Sequence, residues 1–285
     1  MTAVVQRWNQ VAGIRSIRLG DLRVSYVPDG AVRLKPRGWF PESTAQDWRE
    51  RTEHLDETGS LVASIGALLV EHGDRAMLID AGYGPSHQPD DPSNEIIGEL
   101  RAGELIDNLA RLGRRPHEIE SVAITHLHTD HIGWACRPGV FPGARYLISE
   151  PEWTLRDQHA ADVSDEMLER LAHQVVPVAD GEEVFPGVRV RLSPGHTPGH
   201  ASFVVTSKQR RLIVLGDALH NAVQIAQPTW PVRIDVDREQ AIRSRQELVA
   251  ELLEPDTLGF GGHFADVVFG RAVRDGGTAR WSPEL

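Results

Sequence analysis

The densest chemistry in this 285-residue chain is the run His126-Leu-His128-Thr-Asp130-His131, placed directly after the apolar stretch Val122 to Thr125. Histidines two apart on an extended loop can point the same way. A third histidine beside an aspartate adds further nitrogen and oxygen donors within one short turn. Neutral imidazole and carboxylate together suit Zn²⁺, and also Mn²⁺, Fe²⁺ or Co²⁺. Three later positions extend the set: His196 in Pro194-Gly-His196-Thr-Pro-Gly-His200, Asp217 after Gly216, and His263 after Gly261-Gly262. Each follows an apolar run that reads as a strand, and loops at strand ends on a rigid scaffold are where sites are assembled. Singly these are weak signals, because an isolated buried histidine is more often a hydrogen-bonded core residue. Together with the first cluster they read as one metal centre.

The elements that must carry these residues alternate. Apolar, β-branched runs at Ile14 to Leu19, Leu22 to Val27, Ser64 to Val70 and Ala76 to Ile79 predict strands, with Gly20-Asp21 and Gly73-Asp74 as two hairpin turns. Between Pro28 and Glu57 the Pro- and Trp-rich sequence predicts a long, partly ordered loop, of the kind that often serves as a lid. Helical spacing over Glu104 to Leu112 ends at Gly113, and Ser121 to Thr125 is a buried strand running into the histidines. Further strands are expected at Arg145 to Ile148, Val188 to Leu192, Ser202 to Thr206 and Leu212 to Leu215. Helices are expected near Glu152 to Gln158 and Ser164 to His173. Arg238 to Leu253 is an amphipathic helix with Asp237 as N-cap and Pro255 past its end. Two strand-rich halves with helices outside predict one layered α/β (α+β) domain with both sheets in the middle.

Composition removes several classes. With 30 Lys+Arg against 41 Asp+Glu the net charge is −11, without a basic block, which argues against a nucleic-acid partner. The single cysteine, Cys136, excludes an intramolecular disulfide and any multi-cysteine metal site. Neither a signal-peptide core nor a stretch of roughly 20 apolar residues is present. The expectation is therefore a soluble, cytoplasmic protein with no membrane partner.

The ordered set His126, His128, Asp130, His131, His196, Asp217 and His263 resembles the metallo-β-lactamase superfamily, whose hallmark is HxHxDH followed by His, Asp and His. The resemblance spans about residues 60 to 265. It implies a four-layer αββα sandwich with the site at one edge, and two divalent ions, zinc first. By the same resemblance His126, His128 and His196 bind one ion, Asp130, His131 and His263 bind the other, and Asp217 bridges them. It makes residues 1–285 one domain, with residues 1–60 as an N-terminal extension and loop over the active site. His131-Ile-Gly-Trp134, Gly216-Asp217-Ala-Leu-His220-Asn-Ala-Val-Gln224, Pro228 and Asp235-Val-Asp237 look like the branch containing methyl parathion hydrolase and the YtnP-type lactonases. The better-known acyl-homoserine lactonases carry tyrosine three residues after the bridging aspartate, where this chain has His220.

The implied reaction is hydrolysis of a small hydrophobic lactone or ester, with aryl phosphotriesters as a side activity. A hydroxide shared by two metals is the nucleophile in that scheme. Asp130 ligates and shuttles a proton, Asp217 bridges, and His220 is either a transition-state donor or a partner that holds Asp217. Trp39, Phe40, Trp134 and Trp230 are candidate walls of the substrate pocket. Thioesters, in the manner of glyoxalase II or polyketide thioesterases and cyclases, are the enzymatic alternative. A non-hydrolytic diiron enzyme or metal-binding scaffold is the other, although diiron members usually carry glutamate where this chain has His128. His200 reads as a residue that pins its loop, Cys136 as a small buried residue near the site. His54, His72, His87, His117, His159 and His173 read as surface residues without a special role. The expected partner is a small-molecule substrate, and a homodimer is left open.

Overall fold

The computed structural model describes residues 5–158 and 163–284; His159 lies outside them. Strands β1 (Arg15–Leu19) and β2 (Leu22–Leu34) form a first hairpin, β3 (Leu61–His72) and β4 (Arg75–Ile79) a second. Gly20 and Gly73, at the two turns, both have φ of 60°, a conformation that costs glycine nothing. Strands β5 (Ser86–Gln88), β6 (Ile97–Ala102), β7 (Ser121–Ile124), β8 (Arg145–Ser149) and β9 (Val175–Val178) complete the first sheet, in the order β5-β6-β2-β3-β4-β7-β8-β9 with β1 on β2. From β4 to β9 the neighbours run parallel.

The second sheet keeps sequence order: β10 (Glu183–Phe185), β11 (Val188–Leu192), β12 (Ala201–Ser207), β13 (Arg210–Val214), β14 (Thr257–Phe260), β15 (Phe269–Asp275) and β16 (Thr278–Pro283). Its one parallel pair among the described residues is β13 with β14. Helices α1 (Pro36–Trp39) and α2 (Ala45–Arg49) follow β2, α3 (Leu105–Arg111) precedes β7, and α4 (Thr129–Ile132) follows it. Helices α5 (Glu150–Thr154) and α6 (Asp165–Ala172) lie between β8 and β9, and α7 (Val223–Ala226) and α8 (Arg238–Leu252) between β13 and β14.

Strand periodicity sorts the apolar residues into layers. On β4, Met77 and Ile79 enter the core between the sheets, while Ala76 and Leu78 face the cluster that holds Leu105, Leu109 and Leu171 of the outer helices. On β13, Leu212 and Val214 face inward and Ile213 packs on Leu248 and Leu252 of α8. Both faces of these strands are buried, which is why they read as continuous apolar runs. The result is the αββα sandwich expected. No helix among the described residues is long and apolar enough to cross a membrane.

The loop expected over Pro28 to Glu57 is different in the structure: β2 continues through it to Leu34, and α1, α2 and a 3-10 turn at Thr52–His54 follow. Pro28-Asp29-Gly30 makes a register shift within the strand instead of a turn. A side chain at Gly30 would meet the Arg101 carbonyl at 1.9 Å, so only glycine lets β6 pair there. The buried Asp29 carboxylate accepts from the backbone N–H groups of Tyr83, Gly84 and Leu105 and from the Trp134 indole. Within the stretch read as an extension, residues 15–34 are thus sheet.

Candidate metal centre

The first sheet delivers one group of ligands at the carboxyl end of β7. Thr125 and His126 leave the strand, His128 sits before α4, and that single helical turn swings Asp130 and His131 to the other side. The second sheet contributes His196 from the β11–β12 loop, Asp217 just past β13 and His263 just past β14. Two donor groups result: His126, His128, His196 and Asp217, and Asp130, His131 and His263, with the atoms of each within 4.8 Å of one another.

In the first group His128 Nδ1 lies 2.8 Å from His126 Nε2 and 3.1 Å from His196 Nε2. Asp217 Oδ2 is 3.7 Å and 3.5 Å from those two Nε2 atoms. The other oxygen, Oδ1, is 3.3 Å from His131 Nε2 and 3.1 Å from His263 Nε2. Asp130 Oδ2 closes the second group at 3.7 Å and 3.6 Å from the same two nitrogens. Donors on a tetrahedral ion with bonds of about 2.0–2.1 Å stand about 3.3–3.4 Å apart, so these spacings fit a cation in each group. His131 Nε2 and Asp217 Oδ1 are buried without a hydrogen-bond partner, beside a cavity of about 20 Å³ that Asp130 and His263 also line. Orphaned buried donors converging on a small void are what a metal site requires. Asp217, with one oxygen in each group, has the geometry of a bridge.

Behind the ligands a second set of groups fixes ring orientation. Asp80 Oδ2 is 2.9 Å from His131 Nδ1, Asp235 Oδ1 is 3.0 Å from His196 Nδ1, and the Ser64 carbonyl is 2.6 Å from His263 Nδ1. Thr125 Oγ1 lies 3.0 Å from His126 Nδ1. Asp80 has φ of 64°, unusual for a side-chain-bearing residue, and its carboxylate also accepts from the Thr125 N–H. His200 takes the Asp217 N–H on Nε2 at 2.9 Å and sets Nδ1 3.1 Å from the Ser193 carbonyl, pinning the turn that carries the bridge. Sequence reasoning gave no role to Asp80, Ser64 or Thr125, and placed Asp235 only as a branch marker. The signals available were an aspartate just past β4 and another just before α8.

Electrostatics separate the two groups. Burial drives His126 well below the ordinary imidazole range and takes His196 to about 3, so both are neutral. Burial also opposes charge on His131 and His263, but the Asp217 and Asp130 carboxylates outweigh it. His131 rises well above its usual range and His263 to about 9. Asp217 is likewise held well below the carboxylate range, because the His131 and His263 imidazoles overcome the cost of burial.

The ligands open into a cavity of about 500 Å³ whose floor includes His128, Asp130, Asp217, His220 and His263. Its walls are Val32 and Leu34 of β2, Ala63 and Ile65 of β3, Leu100 of β6 and Trp39. His220 Nε2 is 3.0 Å from Asp217 Oδ2 but off the hydrogen-bonding direction, leaving both ring nitrogens without a hydrogen-bond partner. The Trp39 indole meets the His220 ring edge-on at 5.3 Å.

Of the four aromatic residues expected around the pocket, Trp39 alone lines it. Phe40 and Trp230 do not reach it: their ring centroids are 6.0 Å apart with Trp48 against both, so they bury each other in the cluster that also holds Trp39, Val32 and Leu34. Trp134 lines a separate groove with Ile106 and donates to Asp29 at 2.8 Å. His54 is buried, not superficial: it packs on Trp8 at 5.1 Å, and burial lowers it to about 4. His72, His87, His117 and His173 are exposed. Cys136 is buried in the outer-helix cluster, and burial pushes its thiol up to about 12, far from thiolate.

The metallo-beta-lactamase superfamily model matches residues 65–263, and the chain belongs to that superfamily. An N-acyl homoserine lactonase of Bacillus cereus is 24% identical over 206 residues, covering 68% of this chain and 79% of the relative. Another, from Bacillus sp, is 26% identical over 167 residues, and the match spans only 61% of its length. Among solved structures, the dizinc quorum-quenching lactonase AidC superposes with a TM-score of 0.79 at 22% identity, covering 97% of this chain and 99% of that one. The hydrolase AbOPH gives 0.77 at 24% identity over 97% and 99%. These likenesses establish the shared fold, and the matched relatives are hydrolases.

Proposed function

We propose that this chain is a dinuclear zinc hydrolase that opens small lactones or esters bearing an apolar acyl group, with aryl phosphotriesters as a side activity. The observation that carries this reading is the juxtaposition of the two donor groups with the apolar cavity above them. Two divalent ions held there supply Lewis acidity and a water acidic enough to ionise near neutral pH. The chain's own residues do the rest. Asp217 ties the two groups together. Asp130, one-quarter exposed at the cavity floor, can pass a proton to a departing alkoxide. His220 lines the same floor, and its ring nitrogens are buried without a hydrogen-bond partner, so a small turn of the ring would let it donate to the carbonyl oxygen of a bound acyl group. Val32, Leu34, Ile65 and Leu100 favour an alkyl chain and exclude a charged one.

Relatives named as N-acyl homoserine lactonases support the lactone reading, as does the small-molecule size of the cavity. The test is a hydrolysis panel on metal-replete protein: acyl-homoserine lactones of rising chain length, aryl lactones, p-nitrophenyl esters, thioesters and paraoxon-like triesters. Lactones or esters with longer acyl chains are expected to lead in kcat/KM. A preference for thioesters above all others overturns the assignment.

A further inference from the structure

We infer that Arg245, on α8 and remote from every donor atom, is the positioning residue of the first metal group: it locks His196, the turn that carries Asp217 and the His220 segment into one arrangement. The inference rests on the metal-centre reading above. Arg245 is 0% exposed, the largest fully buried side chain among the described residues. Burying a guanidinium is expensive, and an apolar residue of similar volume usually serves stability as well or better. Its retention here therefore calls for a role beyond packing.

The guanidinium fork spends its donors in three directions. Nε donates to the Ala218 carbonyl at 2.7 Å, one residue past the bridging aspartate. Nη1 donates to the Trp230 carbonyl at 2.8 Å and to that of Pro228 at 3.3 Å. Nη2 reaches Asp235 Oδ2 at 3.4 Å, and the other oxygen of that carboxylate is the one that orients His196. The Trp230 carbonyl also accepts from Gln224 Nε2 at 2.9 Å, and Gln224 Oε1 accepts the His220 N–H at 2.7 Å. One planar side chain thus reaches the supports of a ligand, the bridge and the cavity donor. An ammonium cannot reproduce that fixed fork.

The test separates the two donor groups. His263→Ala leaves the first group intact and His128→Ala leaves the second, so Zn²⁺ affinity is titrated in each background with and without Arg245→Lys or Arg245→Met. The expected loss is about 10- to 100-fold for the first group, as for other groups that orient metal ligands, and several-fold smaller for the second, which Arg245 reaches only through Asp217. Equal losses in both backgrounds, or none, overturn the inference, since a merely structural arginine weakens both alike. If the Arg245 variants do not fold, Asp235→Asn cuts the same link at its centre, and an unchanged first group there overturns the inference. A wild type that binds two zinc ions but hydrolyses no lactone or ester refutes the hydrolase reading and leaves the Arg245 assignment standing. A wild type that binds no metal refutes both.

Discussion

The two donor groups share Asp217 yet solve opposite problems. In the first, burial keeps His126 and His196 neutral, with His196 oriented by Asp235, which is in turn held by Arg245. The second places His131 and His263 among the carboxylates of Asp217, Asp130 and Asp80, so without a cation those rings hold protons. A divalent ion held by the first group would meet the neutral rings of His126 and His196. One held by the second would have to displace protons from rings that the carboxylates have charged. The same carboxylates that make the second group a costly place for a neutral ring make it a favourable one for a divalent ion.

The largest expected effect removes what the groups have in common. Asp217→Ala should release metal from both and lower turnover on the order of 10³-fold or more, read by metal analysis alongside kcat/KM. Two-metal occupancy with near-normal turnover in this variant would end the bridging role.

Protons then set the groups apart. With only the second group present, in His128→Ala, the protons on His131 and on His263, the latter at about 9, compete with the ion, so affinity should fall as pH drops from 9 to 7. The drop is up to about tenfold per pH unit for each displaced proton. With only the first group present, in His263→Ala, His196 titrates at about 3 and affinity should stay nearly flat across that window. Parallel pH slopes in the two variants would erase the distinction.

Smaller effects come from the supports. Asp80→Asn should weaken the second group and Asp235→Asn the first, each by about 10- to 100-fold in metal affinity, measured in the same single-site backgrounds. Least costly is Trp39→Ala, which trims the cavity wall while leaving the donors in place. KM for long-chain substrates should rise several-fold with little change in kcat, and Trp134→Ala, facing another groove, should change neither.

How much of this was legible depended on range. The contiguous run His126 to His131 was visible because its donors are neighbours in sequence, and His196, Asp217 and His263 because each sits beside glycine at a strand end. Strand β2 beyond Pro28 was not visible, since Pro28-Asp29-Gly30 has the composition of a turn. It becomes a register shift only when β3 and β6 supply partners on both sides. That hidden half carries Val32 and Leu34, so the apolar wall of the cavity went unread with it. Arg245 was hidden for the converse reason: on a helix whose face was read from apolar spacing, an arginine counts as solvent-facing until carbonyls at Ala218 and Trp230 are seen to surround it.

The sequence by itself determined which donor residues come together and the layered architecture, because both depend on local pattern: donor types at short spacing, and apolar alternation that sorts strands into buried sheets. Tertiary structure alone decided which of the expected aromatic residues lines the cavity, which imidazoles burial keeps neutral and which the carboxylates charge, and which distant carboxylate or carbonyl orients each ring. Those properties arise from burial and from contacts between residues far apart in the chain, such as Ser64 and His263, 199 positions apart, and no local spacing encodes them.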